Sequence, residues 1–359
     1  VSLLLEPLTL RGTTLPNRMV LSPMCQYSVT AQDGVPTDWH LVHLGARAAG
    51  GFGTVLAEAT AVRADGRISP QDTGLWNEEQ VAGWRRITDF VRQQGAVPGV
   101  QLAHAGRKAS TYPPFAGTAG SVPTADGGWG TVGPGREPFG DLATPAALDR
   151  AGIAAIVEAF ADSAVRAVRA GFGVIELHGA HGYLLHQFLS PLSNTRTDAY
   201  GGNLAGRSRL LAEVVDAVRA RIPDEMPLLV RLSGTDWVDG GWTIEDTVAL
   251  ARRIGPLGVD LFDVSSGGNS PTAQIPVGPG YQVPLAERVR HGAQVATGAV
   301  GLITTAAGAE QVLAHGSADL VLIGRAALRD PAWPQRAAAD LGHPERVHYP
   351  DQYLRGAWR

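Results

Sequence analysis

Cysteine is nearly absent: Cys25 stands alone among 359 residues. One cysteine cannot close an intramolecular disulfide, and it excludes a Cys-rich zinc site. That usage fits a reducing, cytoplasmic compartment. A surplus of positive charge is also lacking. Lys and Arg number 30 against 34 Asp and Glu, the net charge is −4, and no basic run interrupts the balance. This excludes the electrostatic footprint of a nucleic-acid binder. No stretch approaches the roughly 18 apolar residues of a membrane span. The opening VSLLLEPLTLRG has no basic stretch ahead of its short apolar one, so no signal peptide is expected. No GxGxxG follows the first apolar run, which removes the main support for a dinucleotide-binding sheet, and no HExxH is present. What remains, 44% hydrophobic and 18% charged residues, is ordinary for a globular protein. The length allows two domains or one large barrel.

Eight Val/Leu/Ile-rich runs alternate with helical stretches. Strands are expected at Arg18–Leu21, Thr54–Ala57, Pro98–Leu102, Val174–Leu177, Leu228–Leu232, Leu261–Val264, Val295–Thr297 and Leu320–Ile323. Between them, helices are expected at Trp39–Ala49, Glu78–Gln93, Leu148–Ala170, Arg207–Arg221, Thr243–Ile254, Val283–Arg290 and Ala306–Ala314. Apolar runs of this kind belong to a parallel sheet covered on both faces. Eight units fit an α/β protein of the (β/α)8 TIM-barrel type better than a doubly wound sheet, so residues 1–359 read as one domain. Ala109–Ala147, rich in Pro, Gly, Ser and Thr, breaks the rhythm. It reads either as a disordered insertion or as a capping loop after strand 3, on the catalytic face.

The chemistry centres on His178–Gly202, HGAHGYLLHQFLSPLSNTRTDAYGG. His178 falls at the C-terminal end of the fourth strand with His181 and Tyr183 just beyond, where barrels place their sites. The two imidazoles read as a metal pair, as structural histidines, or as donors to one ligand oxygen; HxxH alone does not choose. Tyr183 is a satisfied buried tyrosine or a general acid for a strongly basic centre. Arg231 in LLVRLSG is a charge inside an apolar strand and needs a partner. Gln101, at the end of the third strand, carries both a donor and an acceptor. Gly301 after the seventh strand and Gly324–Arg325 after the eighth occupy the turns with which barrels often bind phosphate. Lys108 is an exposed charge or a cation for a ligand. Cys25 has no local base and does not read as a nucleophile.

These stretches resemble the Old Yellow Enzyme family of FMN-dependent ene-reductases. Besides His178–Gly202, the segments Asn17–Tyr27, Glu58–Ala61, Gln101–Lys108, Arg231–Ser233, Ala296–Thr304 and Ile323–Pro331 match in order, over nearly the whole chain. SPMCQYS at Ser22–Ser28 is similar to the bacterial, thermophilic-like branch. The resemblance implies FMN held by Ser22, Pro23, Met24, Cys25, Ala59, Gln101, Arg231, Gly301, Gly324 and Arg325. It places Gln101 and Arg231 at the flavin's pyrimidine edge and Cys25 beside the ring. It implies His178 and His181 on the substrate's carbonyl oxygen, Tyr183 as proton donor, Tyr27 and Lys108 at the substrate, and no metal.

The implied activity is NAD(P)H-dependent reduction of the activated C=C bond of α,β-unsaturated carbonyl compounds, with NADPH or NADH as hydride donor. Two alternatives keep the same phosphate turns or flavin: a phosphate-binding barrel aldolase or isomerase, and a flavin-binding electron carrier. The aldolase needs a Schiff-base lysine or a carboxylate base at a strand end, and neither Lys108 nor Glu176 reads as well placed. The tail 349–359, with Tyr349, Tyr353, Leu354 and Trp358, is apolar enough to dock. Its QYxRG run at Gln352–Gly356 resembles the branch in which the tail crosses a two-fold interface. By that resemblance Arg355 reaches the neighbour's substrate pocket, in a homodimer or a dimer of dimers. Ala357 and Arg359 depart from the branch's shorter ending.

Overall fold

Eight parallel strands close into a barrel. In the computed structural model, which describes residues 2–358, they are β1 (Met19–Leu21), β2 (Thr54–Ala61), β3 (Val97–Ala103), β4 (Val174–Gly179), β5 (Leu228–Ser233), β6 (Leu261–Ser265), β7 (Thr297–Ala299) and β8 (Leu320–Ile323). Each pairs with its sequence neighbours, and β8 pairs with β1 to close the ring. The principal helices around it are α1 (Asp38–Ala49), α2 (Glu78–Gln93), α3 (Arg150–Arg169), α4 (Arg209–Arg219), α5 (Ile244–Ile254), α6 (Val283–Ala293), α7 (Ala306–Ala314) and α8 (Trp333–Asp340). The expected barrel is therefore the one observed.

Strand alternation decides what lies inside. On β4, Ile175 and Leu177 belong to the outer core against the helices, whereas Val174 belongs to a second cluster inside the barrel. Glu176 and His178 share the Val174 parity, so they point inward above it. Leu229 and Arg231 on β5, and Leu261, Asp263 and Ser265 on β6, repeat the pattern. Each of these strands thus carries leucine or valine at its inner base and polar groups at its C-terminal end. The base is closed by a hairpin that the periodicity did not announce, Leu8–Leu10 paired with Thr13–Leu15. Its Leu10 and Leu15 join the inner cluster.

The seventh strand departs most from expectation. It runs Thr297–Ala299 rather than Val295–Thr297. Gln294 takes a left-handed turn at φ 56°, which places the apolar pair Val295–Ala296 before the ladder. The strand itself carries Gly298, where a Cβ would stand 2.7 Å from Leu322 Cδ1. Close packing removed the apolar side chain by which the strand would be recognised. The expected helix Arg207–Arg221 is divided at Ser208 into a turn, Leu204–Arg207, and α4. The helix expected over Leu148–Ala170 starts later because Asp149 caps it, accepting from Gly152 N.

The stretch 109–147 contains a 3-10 turn, an isolated bridge between Thr111 and Ser121, and the short pair Val132–Gly133 with Ala146–Ala147. It lies over the C-terminal end of the barrel: Phe115 packs edge-on to Tyr27 at 6.1 Å, and Phe139 lies 4.4 Å from Lys108 Nζ. No helix among the described residues is long and apolar enough to cross a membrane.

Candidate active site

His178 ends β4 pointing inward, and the chain then turns through Ala180–Gly182 before the short helix Leu184–Leu189. The turn brings three rings together. The His178 ring centroid lies 5.1 Å from that of His181 and 5.0 Å from that of Tyr183, both edge-on. Gly182 is required there, since a Cβ would stand 2.2 Å from Gly268 O at φ +72°. His181 is itself left-handed, with φ 58°. A non-glycine residue persists in that region only when its surroundings over-determine it. Here Ser233 Oγ accepts from His181 N at 3.0 Å, Lys108 Nζ donates to His181 O at 2.8 Å, and Ser265 Oγ meets the ring at 2.7 Å.

The imidazoles are neutral. Burial, then the nearby Arg231, holds both pKa values well below the usual histidine range. Ala180 N approaches His178 Nδ1 at 3.4 Å, which leaves Nε2 as the protonated, outward donor. For His181 the tautomer follows from Ser265. Its hydroxyl has two acceptors in reach, His181 Nε2 at 2.7 Å and Gln282 Oε1 at 3.3 Å. Ser266 Oγ already donates to Gln282 Oε1 at 2.6 Å. Gln282 Oε1 can accept from both serines, so the shorter contact decides: with Ser265 assigned as donor to His181 Nε2 at 2.7 Å, the ring proton is placed on Nδ1. Tyr183 stays a phenol, its pKa raised by burial and next by Cys25.

Lys108 is not the freely exposed charge that was one of its two readings. It is half-buried, its ammonium donates to His181 O and Gly268 O at 2.8 Å each, and it lies 5.0 Å from the Tyr183 ring. Burial brings its pKa down to about 8.

A polar layer lies inside the barrel at this end. Gln101 Nε2 donates to Glu176 Oε1 at 2.8 Å, Arg231 Nε faces Asp263 Oδ2 at 2.8 Å, and Arg231 Nη2 reaches Ser22 Oγ at 3.4 Å. Cys25 and Tyr27 stand on the loop after β1, which is tied down where Gln26 N donates to Glu58 Oε2 at 2.9 Å. Glu58 is held in turn by His40 Nε2 at 3.1 Å. Burial pushes the Cys25 thiol well up, against any role as a nucleophile. Ala59 packs with Cys25, Tyr27 and Tyr183 in one small apolar cluster.

On the far side a cleft of about 200 Å³ is lined by Met24, Ser265, Gly301, Leu302, Gly324 and Arg325, among others. Gly301 has φ +124°, and a Cβ on Gly324 would meet nothing closer than Met24 Sδ at 3.8 Å. Arg325 makes no hydrogen bond or ion pair among the described residues, and its side of the cleft is open. A flat heterocycle with a phosphate-bearing chain fits this arrangement. The polar layer offers a free amide oxygen and a guanidinium to the ring, and the glycine turns with Arg325 suit a phosphate. No group of three or more His, Cys, Asp or Glu among the described residues could hold a metal.

Of the residues singled out from sequence, Arg355 alone lies apart. His348, just before the tail, packs by Gly51 and Gly95, which precede β2 and β3, at the end of the barrel away from the rings. Tyr353, Leu354, Arg355 and Trp358 are exposed, and Arg359 lies outside the described residues. Glu176, Asp263 and Ser265 were missed. Glu176 lies within its strand and reads as poorly placed for a base, yet strand alternation aims it at the site. Asp263 in LFDVS carries the signal that identified Arg231, a charge inside an apolar strand.

The chain has known relatives. Residues 3–343 match the NADH:flavin oxidoreductase / NADH oxidase family. An NADPH dehydrogenase of Geobacillus sp. (strain WCH70) is 47% identical, covering 100% of this chain and 99% of that protein. An NADPH dehydrogenase of Listeria innocua serovar 6a is 46% identical, with 100% of both covered. Among solved structures, morphinone reductase in complex with tetrahydroNAD superposes with a TM-score of 0.78 at 27% identity, covering 97% of this chain and 92% of that one. A 2-naphthoyl-CoA reductase complex gives 0.84 at 26% identity, with 96% of this chain and 53% of that one covered.

Proposed function

The chain belongs to the NADH:flavin oxidoreductase / NADH oxidase family, FMN-dependent oxidoreductases, and from that premise we propose that it is an ene-reductase acting on α,β-unsaturated carbonyl compounds. The observation that carries the proposal is the convergence of two neutral imidazoles and a phenol, 5.0 and 5.1 Å apart, at the C-terminal end of the barrel. When bound, FMN supplies the hydride carrier between a reduced nicotinamide and the alkene. Gln101, Arg231 and Ser22 would hold its ring, with Pro23, Met24, Cys25 and Ala59 beside it and Gly301, Gly324 and Arg325 at its phosphate.

The chain's own work is alignment and proton handling. His178 Nε2–H and His181 Nδ1–H donate to the substrate's carbonyl oxygen and stabilise the negative charge that develops there, an oxyanion role. Tyr183 gives its proton to the α-carbon. A phenol held well above its ordinary pKa does not ionise in solution, so it serves as an acid only toward a strongly basic carbon. Tyr27 and Lys108 border the same pocket. NADPH is the expected donor, from the names its relatives carry. The assembly is a two-fold dimer, or a dimer of dimers, in which Arg355 completes the partner's pocket, working in the cytoplasm.

Tyr183→Phe tests this reading. Bleaching of the flavin by NADPH should continue at the parental rate, while enone turnover falls by the ~10²–10⁴-fold of a lost general acid. Equal rates of enone reduction in the two proteins, or an equal fall in both half-reactions, would refute it.

A further inference from the structure

The polar layer inside the barrel contains more carboxyl groups than its charge balance allows. Glu176 and Asp263 are fully buried and lie within hydrogen-bonding reach of each other. The cation facing them is Arg231, from β5, and Gln101 from β3 is the other polar neighbour. With both carboxyls ionised, this buried layer would carry a net negative charge, and desolvation makes that costly. It would also leave Glu176 Oε2 and the Asp263 oxygens without a hydrogen-bond donor. One proton shared between the two carboxyl groups removes the excess charge and gives Glu176 a partner in Asp263. Asp263 Oδ2 stands 2.8 Å from Arg231 Nε, which keeps Asp263 the anion and assigns the proton to Glu176. Burial first, then the Asp263 charge, pushes the Glu176 pKa up in agreement.

We propose that Glu176 works as a neutral carboxylic acid, a positioning residue that turns the Gln101 carbonyl oxygen toward FMN and leaves Asp263 as the sole counter-ion of Arg231. Glu176 Oε1 accepts from Gln101 Nε2 at 2.8 Å. That bond fixes the amide's orientation, so Oε1 of Gln101, which has no partner among the described residues, is the atom presented to the ring. Glu176 Oε2–H donates to Asp263. Arg231 and Asp263 then form a single, formally neutral ion pair, beside the edge where reduction of a flavin places negative charge. This inference rests on the FMN placement proposed above.

The test uses FMN-loaded protein and its midpoint potential. Glu176→Gln replaces a neutral acid with a neutral amide that can make both bonds, so its ratio of reduced to oxidised FMN affinities should stay within tenfold of the parent, a shift under ~30 mV. Asp263→Asn strips the counter-ion and should favour reduced FMN by tenfold or more, at least ~30 mV upward. Infrared difference spectra on reduction should show the carbonyl band of a protonated carboxylic acid in the parent and not in Glu176→Gln. An upward shift in Glu176→Gln as large as that in Asp263→Asn means that Glu176 is an anion and overturns the proposal, as does a parent spectrum without the acid band. A parent protein that binds FMN, with a potential unmoved in both variants, overturns the placement and the positioning role with it.

Discussion

Removing the Ser265 hydroxyl should weaken carbonyl-oxygen binding without touching the ligand. Ser265 Oγ lies 2.7 Å from His181 Nε2, and with the hydroxyl assigned as the donor the ring proton stays on Nδ1. Ser265→Ala removes one neutral hydrogen bond, worth about 0.5–1.5 kcal/mol, and loosens the tautomer by that amount. A phenol, whose oxygen stands for the enolate, should therefore bind ~2–13-fold more weakly. His181→Ala removes the donor itself; a hydrogen bond to a charged oxygen is worth about 1.5–3 kcal/mol, or ~10–150-fold. Because Ser265 bears on the carbonyl oxygen through His181, the double variant should be no weaker than His181→Ala alone, a non-additivity that a double-mutant cycle measures. Titration of the FMN-loaded variants with the phenol, followed by the flavin absorbance, gives all three constants. Burial, then Arg231, holds both imidazole pKa values low, so affinity for a phenol already ionised throughout the range should be flat from about pH 5 to 8. Additive losses, or a histidine inflection in that window, would refute the tautomer assignment.

Two further outcomes follow from the ends of the site. Arg325→Ala should weaken FMN retention by ~10-fold, about 1.5 kcal/mol for an exposed charge-assisted contact; an unchanged dissociation constant on reconstitution would remove Arg325 from the phosphate site. Deleting residues 350–359 should raise KM for the enone and lower the mass in solution while FMN stays bound, and unchanged kinetics and mass would end the composite-site reading.

The barrel was legible because each strand is apolar on its helix-facing side and is followed by a periodic helix. The family read from Ser22–Ser28 and His178–Gly202 is the one that residues 3–343 match. What escaped did so for physical reasons. The Leu8–Leu10/Thr13–Leu15 hairpin is too short for its period to stand out, although Arg11–Gly12 marks its turn. The core of β7 is glycine where Leu322 crowds it. At the site, residues were found when their oddity was local, as with Arg231, and missed when their meaning came from another strand. Glu176 acquires its role from Gln101 and Asp263, which are 75 positions upstream and 87 downstream of it.

The positive charges around the rings explain why neutral histidines suit this pocket. Arg231 and Lys108 already lower both imidazole pKa values, after burial. Two imidazolium ions added to them would leave positive charge that Asp263 alone does not balance, and the pocket would bind any anion tightly before reaction. Tight binding of the ground state does not accelerate a chemical step; only interactions that strengthen toward the transition state do. A neutral N–H gains strength as the carbonyl oxygen becomes charged, so two neutral donors favour the transition state over the bound carbonyl. The fixed cations keep the imidazoles neutral, the three bonds on His181 hold one of them at a strained φ of 58°, and Tyr183 remains beside them as an intact acid. Loss of the Lys108 charge should therefore act through the position and protonation of His181, before it acts on any ligand directly.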